Sequence, residues 1–394
     1  MLNKKMQKLG EERSVIREIF EYGNQRAKQI GRENVYDFSL GNPSVPAPDG
    51  VRQEIEHLLR ELPSEKLHGY TSAAGAPEVR QAVSDYITAT FGVPMRPELI
   101  YMTCGAAASL TVTFHALAEE GDEFIVLTPC FPEYNVFIKQ AGGKVVPVCT
   151  DSNFHIDIPA LAAAINEHTK AVLVNSPNNP TGAVYGEEEL KALASLLTEK
   201  SKQYKKPIYI IADEPYRELT YGAKVPYIPA LYPSTIVCYS FSKSLSLAGE
   251  RIGYIAVAPA CEGSEEIFSA VCGAGRSLGY VCAPALFQRV CAKLLGQSGD
   301  IHAYERNRDL LYNALTQAGF TCVLPQGAFY LFMQSPLENA TAFCEMAKKH
   351  ELLLVPSDSF GIKGYVRIST CVDYEMIKRS LPAFSALAKE CGLK

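Results

Sequence analysis

From about residue 99 onward the chain alternates short apolar runs with longer stretches of helical spacing. The runs at residues 99–103, 124–127, 144–149, 171–174 and 208–212 predict strands. They are nearly continuously hydrophobic, as strands covered on both faces should be. Helical segments of ten or more residues separate most of them, which calls for right-handed crossovers and a mostly parallel sheet. Two more strand runs, at 235–239 and 252–257, bracket a loop rich in serine and glycine. After Pro284 the rhythm changes. Helices at 285–295 and 303–318, a strand at 328–332, a helix, strands near Leu353 and Tyr365 and a final helix predict a separate α+β layer. At the start, Val15, Ile16, Ile19 and Phe20 give helical spacing over residues 11–30, with Gly31 as the stop. A short strand at 35–39 leads to a proline-rich crossing at Pro46 and Pro48, then to a helix capped by Asp49 and another beginning at Pro77. The expected architecture is α/β: a large domain over residues 46–284, and a small α+β domain built from residues 1–45 and 285–394.

Composition narrows the class. A chain of 394 residues, 47% hydrophobic and 21% charged, has material for two or three domains and a large core, and is not disordered. The net charge of −5 gives no electrostatic case for nucleic acid or for a membrane surface. No apolar run is long enough to span a bilayer, and the start is charged rather than signal-like, so a cytoplasmic protein is expected. None of the twelve cysteines forms a Cys-x-x-Cys pair; Cys149, Cys238, Cys272 and Cys322 sit in apolar runs and are expected to be buried thiols. No metal site is expected.

The candidate chemistry centres on the loop between the runs at 235–239 and 252–257, which carries Lys243. Burying an unpaired ammonium between two apolar strands is costly. A lysine in a dry site loses its proton more readily and can attack a carbonyl to form a Schiff base. Ser240 and Arg251 stand nearby as anion binders, so a phosphorylated aldehyde suits the loop. Four other stretches carry polar groups at strand ends. Thr103-Cys104-Gly105-Ala106-Ala107 runs from a strand into a helix whose free amides form an anion cup, although the same residues also fit an ordinary tight turn. Phe131 lies in Thr128-Pro129-Cys130-Phe131, where a core role is equally open. Asn179 belongs to Asn178-Asn179-Pro180-Thr181-Gly182, a turn by composition. Asp213 closes a buried strand, where open α/β sheets bind ligands, with Tyr216 three residues on. Later, Arg367 stands alone among apolar neighbours as a fork for a carboxylate, or as a surface residue of an edge strand.

Ser240-x-x-Lys243 followed by Gly249-x-Arg251-x-Gly253, with these pieces in this order, resembles the class I/II aminotransferases, which are fold-type I enzymes using pyridoxal 5'-phosphate (PLP). The resemblance runs from Gly41 to Arg367. It implies that Lys243 holds PLP as a Schiff base and serves as general base, and that Gly105, Ala106, Ala107, Ser240 and Arg251 bind its phosphate. It also implies that Phe131 stacks on the ring, Asp213 pairs with the ring nitrogen, and Asn179 and Tyr216 meet the phenolic oxygen. Arg367, with Gly41 and Asn179, would bind the substrate carboxylate. Tyr70 would reach the phosphate of a neighbouring subunit, which implies a homodimer with shared sites. The implied activity is ping-pong transfer of an amino group from an L-amino acid to a 2-oxo acid, with 2-oxoglutarate as the expected acceptor. No segment clearly supplies a second arginine for a distal carboxylate; Arg276 is a candidate by position, with Lys66 or His68 as alternatives. Two rivals are a PLP-dependent C–S β-lyase on the same site and a non-catalytic PLP-binding sensor. The second is disfavoured by the intact lysine, aspartate and arginine, and by the absence of a DNA-binding pattern before residue 35.

Overall fold

The computed structural model describes residues 2–12 and 14–393. Its centre is a seven-stranded sheet in the order Ile100–Thr103, Gly253–Val257, Thr235–Ser240, Tyr209–Glu214, Thr169–Asn175, Glu123–Thr128, Lys144–Cys149. Gly253–Val257 runs antiparallel to both its neighbours; every other pairing is parallel. All strands except Gly253–Val257 therefore end on one edge, and Thr103, Thr128, Asn175, Asp213 and Ser240 lie at or near those ends. Alternate residues of the central strands feed two cores. Val172, Val174, Ile210, Ala212 and Val237 face one layer of helices, while Ala171, Leu173, Ile211, Ile236 and Cys238 face the other. Burial on both faces is why these segments read as unbroken apolar runs.

Lys144–Cys149 departs from that expectation. It is the edge strand, carries Pro147 and is largely open, and Cys149 is exposed rather than buried. An edge strand has unpaired backbone on one side and tolerates proline there. Cys238 is buried as expected, whereas Cys272 and Cys322 are only half-buried.

A second, antiparallel sheet has the order Val355–Pro356, Tyr365–Ser369, Tyr330–Gln334, Cys322–Val323. Helices Ile301–Gln317, Ala340–Lys348 and Tyr374–Glu390 pack on it around Leu311, Leu315, Phe343, Ile377 and Phe384. The early strand Tyr36–Asp37 pairs in parallel with Leu352–Leu353, so the beginning of the chain is fastened to this later layer. The helix expected over residues 11–30 is instead two, Lys4–Glu11 and Val15–Ile30, because Ser14 turns out to be an N-cap whose hydroxyl accepts from the Arg17 amide. Asp49 likewise is the first helical residue of Asp49–Glu61 and caps nothing; Pro48 holds the cap position. No helix among the described residues is long and apolar enough to cross a membrane.

Candidate active site

The carboxyl edge of the large sheet opens on a cavity of about 290 Å3. Lys243, Ser240 and Arg251 reach it from the loop after Thr235–Ser240, and Ala106 and Ala107 from the helix Ala106–Leu117. Phe131, Asn179, Asp213 and Tyr216 enter from successive strand ends. Gly41 and Arg367 close it from the side of the smaller sheet. Residues separated by more than 300 positions thus share one cavity.

The lysine loop is locally over-determined. Ser240 Oγ accepts from the Ser242 amide and so caps the single helical turn Phe241–Ser244 that carries Lys243. Lys243 Nζ donates to the carbonyl of Gly41 at 2.7 Å and lies over the Phe329 ring. Burial pulls its amine down to about 8, with Arg251 and Arg367 pushing the same way. Arg251 follows in the left-handed region, at φ 53°, a conformation that costs a non-glycine residue roughly 1 kcal/mol. Its guanidinium donates to Ser242 Oγ and to the Ala248 carbonyl.

The helix cap opposite depends on glycine. Gly105 has φ 86°, and a Cβ there would stand 2.8 Å from the Arg251 guanidinium. Gly253, two positions after Arg251, has the same constraint from the other side: a Cβ would meet the Tyr239 carbonyl at 2.3 Å and Gly105 Cα at 3.1 Å. These glycines let the turn before the helix Ala106–Leu117 and the arginine approach each other. Gly105 itself does not line the cavity. It serves as the N-cap that aims the amides of Ala106 and Ala107 into it.

Asp213 caps no helix. Its carboxylate is buried, with Oδ2 accepting from the Tyr134 hydroxyl at 2.5 Å and Oδ1 without a partner among the described residues. Burial raises this carboxyl to about 7, opposed by the Tyr134 hydrogen bond and aided by Glu214. The turn that follows is pinned by a buried Glu214–Arg217 ion pair whose guanidinium lies against the mutually stacked rings of Phe91 and Tyr227. That turn sends Tyr216 back over the cavity, where its hydroxyl meets Tyr330 at 3.1 Å.

Arg367 lies on a central strand of the smaller sheet, flanked on both sides, and is 2% exposed, so the surface edge-strand reading is excluded. One nitrogen donates to Asn179 Oδ1 at 3.2 Å and another to the Ser39 carbonyl at 2.6 Å, while the Tyr330 and Phe360 rings cover the guanidinium. Its Nε has no partner, and no carboxylate pairs with it among the described residues. A buried guanidinium without an anion is costly. Among the described residues the cavity has three cationic side chains, Lys243, Arg251 and Arg367, against the single carboxylate of Asp213. It is built for an anionic ligand.

Tyr70 is 90% exposed and does not line the cavity of its own chain. Arg276, Lys66 and His68 are likewise exposed and outside it. Sequence reasoning missed Tyr134, Tyr330, Asn175 and Ile16, all of which line the cavity. Tyr134 follows Phe131 by three positions, a helical-face spacing that could have paired them. Tyr330 had no local signal, since only the register that sets Phe332 against Arg367 brings its ring to that face.

Residues 33–384 match the family model described as aminotransferase class I and II. The chain belongs to that family. It is 31% identical to a probable aspartate/prephenate aminotransferase of Aquifex aeolicus, covering 89% of this chain and 90% of the relative. It is also 31% identical to the aspartate/prephenate aminotransferase of Thermus thermophilus, over 92% and 94%. Among solved structures, an amino transferase from Eubacterium rectale superposes with a TM-score of 0.97 at 53% identity, over 99% of both chains. The aspartate aminotransferase of Thermus thermophilus with maleate superposes with a TM-score of 0.87 at 28% identity, over 98% and 99%. The architecture is accordingly that of the fold-type I aminotransferases, and the protein is an enzyme of that family.

Proposed function

We propose that this aminotransferase binds PLP in the cavity at the sheet edge and moves an amino group from an L-amino acid to a 2-oxo acid, with 2-oxoglutarate as acceptor. The observation that carries the reading is the pairing of unmet needs in one cavity. Asp213 Oδ1 lacks a donor and Arg367 Nε lacks an acceptor, while Lys243 opens on the same space. The donor set fits the cofactor. Ala106 and Ala107 amides, Ser240 and Arg251 would hold its phosphate, Asp213 its ring nitrogen, Phe131 its ring face, and Tyr216 and Asn179 its phenolic oxygen.

When bound, PLP supplies an aldehyde carbon for the amine and a cationic ring that spreads the charge left by the departing α-proton. The side chains do the rest. Arg367 and Asn179, with the Gly41 backbone beside them, would fix the donor carboxylate and so orient the α-carbon. Lys243 Nζ, poised near neutrality by burial, takes the α-proton and returns it elsewhere as general acid. Asp213, ionised opposite a cationic ring nitrogen, keeps that ring protonated. The same reading assigns residues 46–284 to a cofactor-binding domain, and residues 1–45 with 285–394 to a smaller domain that completes the carboxylate site. It makes the enzyme a cytoplasmic homodimer in which exposed Tyr70 faces the second copy's phosphate.

The test is a panel of L-amino acids with 2-oxoglutarate, following glutamate and the new 2-oxo acid. Equimolar products and parallel double-reciprocal lines are expected. Pyruvate and ammonia formed without an acceptor would replace the transfer reading with β-elimination. A second prediction concerns the carboxylate fork. Arg367→Lys keeps the charge but loses the paired N–H groups, and is expected to raise KM for the amino donor about 30-fold, about 2 kcal/mol. An unchanged KM would place the substrate carboxylate elsewhere.

A further inference from the structure

The two oxygens of Asp213 have different surroundings. Oδ2 receives the Tyr134 hydroxyl at 2.5 Å and stands 3.5 Å from Asn175 Nδ2, which also donates to the Asp213 carbonyl at 3.0 Å. Oδ1 receives nothing. Asn175 is itself held, since its Oδ1 accepts from the Asn179 amide at 2.8 Å. Tyr134 is fully buried, with its ring edge-on to Phe131 at 5.6 Å. We infer that Tyr134 and Asn175 are positioning residues that clamp one oxygen of Asp213, so that the other is presented alone to the ring N–H of bound PLP. The inference rests on the proposed activity and adds two residues to it.

The chemistry distinguishes a clamp from two polar groups that merely satisfy each other. A hydroxyl donating to a buried carboxylate favours the ionised form. Around Asp213 the other forces oppose ionisation: burial, first, and the neighbouring charge of Glu214. Tyr216 and Cys238 also face this carboxylate, and burial pushes both groups far up, so they stay neutral and supply no positive charge. Glu214 is occupied by Arg217. The Tyr134 hydroxyl is therefore the group that keeps Asp213 available as an anion, and its position fixes the rotation about the carboxylate. Without it, Asp213 would keep its proton to higher pH and lose its preferred orientation.

Tyr134→Phe removes the hydroxyl and keeps the ring against Phe131. In full-length protein stripped of cofactor, Asp213 binds a proton more tightly folded than unfolded. Its effect therefore makes stability fall as pH rises from about 4, the unfolded carboxylate value, to about 7, and flatten above. In Tyr134→Phe that fall is expected to continue past pH 7. In the loaded enzyme, PLP affinity at pH 8 is expected to drop about tenfold. The same variant's kcat is expected to fall by about 10- to 100-fold, with KM for the amino donor unchanged because Arg367 and Asn179 hold the donor. A pH–stability curve and a PLP affinity that both superimpose on those of the parent would overturn the clamp. Should circular dichroism show Tyr134→Phe unfolded, Asn175→Ala carries the same expectations for the cofactor-free pH curve and for PLP affinity, and the same contrary result; its KM is not a readout, because Asn175 also anchors the Asn179 amide. A parent protein that takes up no PLP would overturn the activity reading instead, while the cofactor-free pH curve would still decide the clamp.

Discussion

Lys243→Ala is expected to reduce turnover about 10⁴-fold or more, the upper range for loss of a general acid–base group, while the far-ultraviolet spectrum stays that of the parent. Among the described residues no other amine lines the cavity, so none of them inherits the proton. The fold is spared because the helical turn Phe241–Ser244 is set by the Ser240 cap and by buried Phe241 and Ser244, not by the lysine. The ammonium costs the cofactor-free protein stability. Its folded value is about 8 and its unfolded value about 10.4, so below pH 8 both states are charged and the burial cost is felt in full. Between those values the folded state sheds the proton first, and the cost disappears. Lys243→Met, which keeps the packing, should therefore melt higher than the cofactor-free parent below pH 8, with the advantage vanishing by about pH 10. Wild-type turnover in Lys243→Ala would remove the central residue of this account.

The second large effect is expected at Asp213. Asp213→Asn keeps the shape but cannot hold a proton on a ring nitrogen, and kcat should fall about 10³-fold, about 4 kcal/mol. Binding of PLP should suffer less, because Ala106, Ala107, Ser240 and Arg251 reach the cavity independently of the aspartate. The same variant removes a carboxyl raised to about 7 by burial. Cofactor-free Asp213→Asn should therefore be more stable than the parent above pH 7, where the parent pays for a buried charge, and the difference should vanish near pH 4. Rate measurements at pH 8 and thermal unfolding across pH 4–9 check both halves. A kcat within a few-fold of the parent would show that Asp213 does not face the reacting ring.

The sheet was legible because its central strands are buried on both faces and its turns punctuate them with glycine, proline and asparagine. The edge strand Lys144–Cys149 was found but its burial was misjudged, since an apolar run looks the same in sequence whether one face or two are covered. The lysine loop, Asn179, Asp213 and Arg367 were legible as polar residues at the ends or middles of apolar runs, and family resemblance gave them an order. Tyr330 was not legible. Its place beside Arg367 depends on an antiparallel register between segments about 35 residues apart, and nothing local encodes that register. Tyr134 could not be paired with Asp213 from sequence, because that contact joins the start of the helix Glu133–Gln140 to the end of the strand Tyr209–Glu214, 79 residues apart. The helix start at Val15 was missed for a simpler reason: helical spacing of Val15, Ile16, Ile19 and Phe20 does not say where the helix begins, whereas Ser14 as a cap does.

The central claim is that one cavity binds PLP on Lys243 and passes amino groups through it. Visible absorbance of the PLP-loaded protein tests it directly, since the chain has no tryptophan to crowd the near-ultraviolet. Adding a single L-amino acid, with no 2-oxo acid present, is expected to bleach the long-wavelength band and release one equivalent of 2-oxo acid per site. Adding 2-oxoglutarate should then restore the band. No band after incubation with PLP, or a band unmoved by any amino acid, would contradict the account.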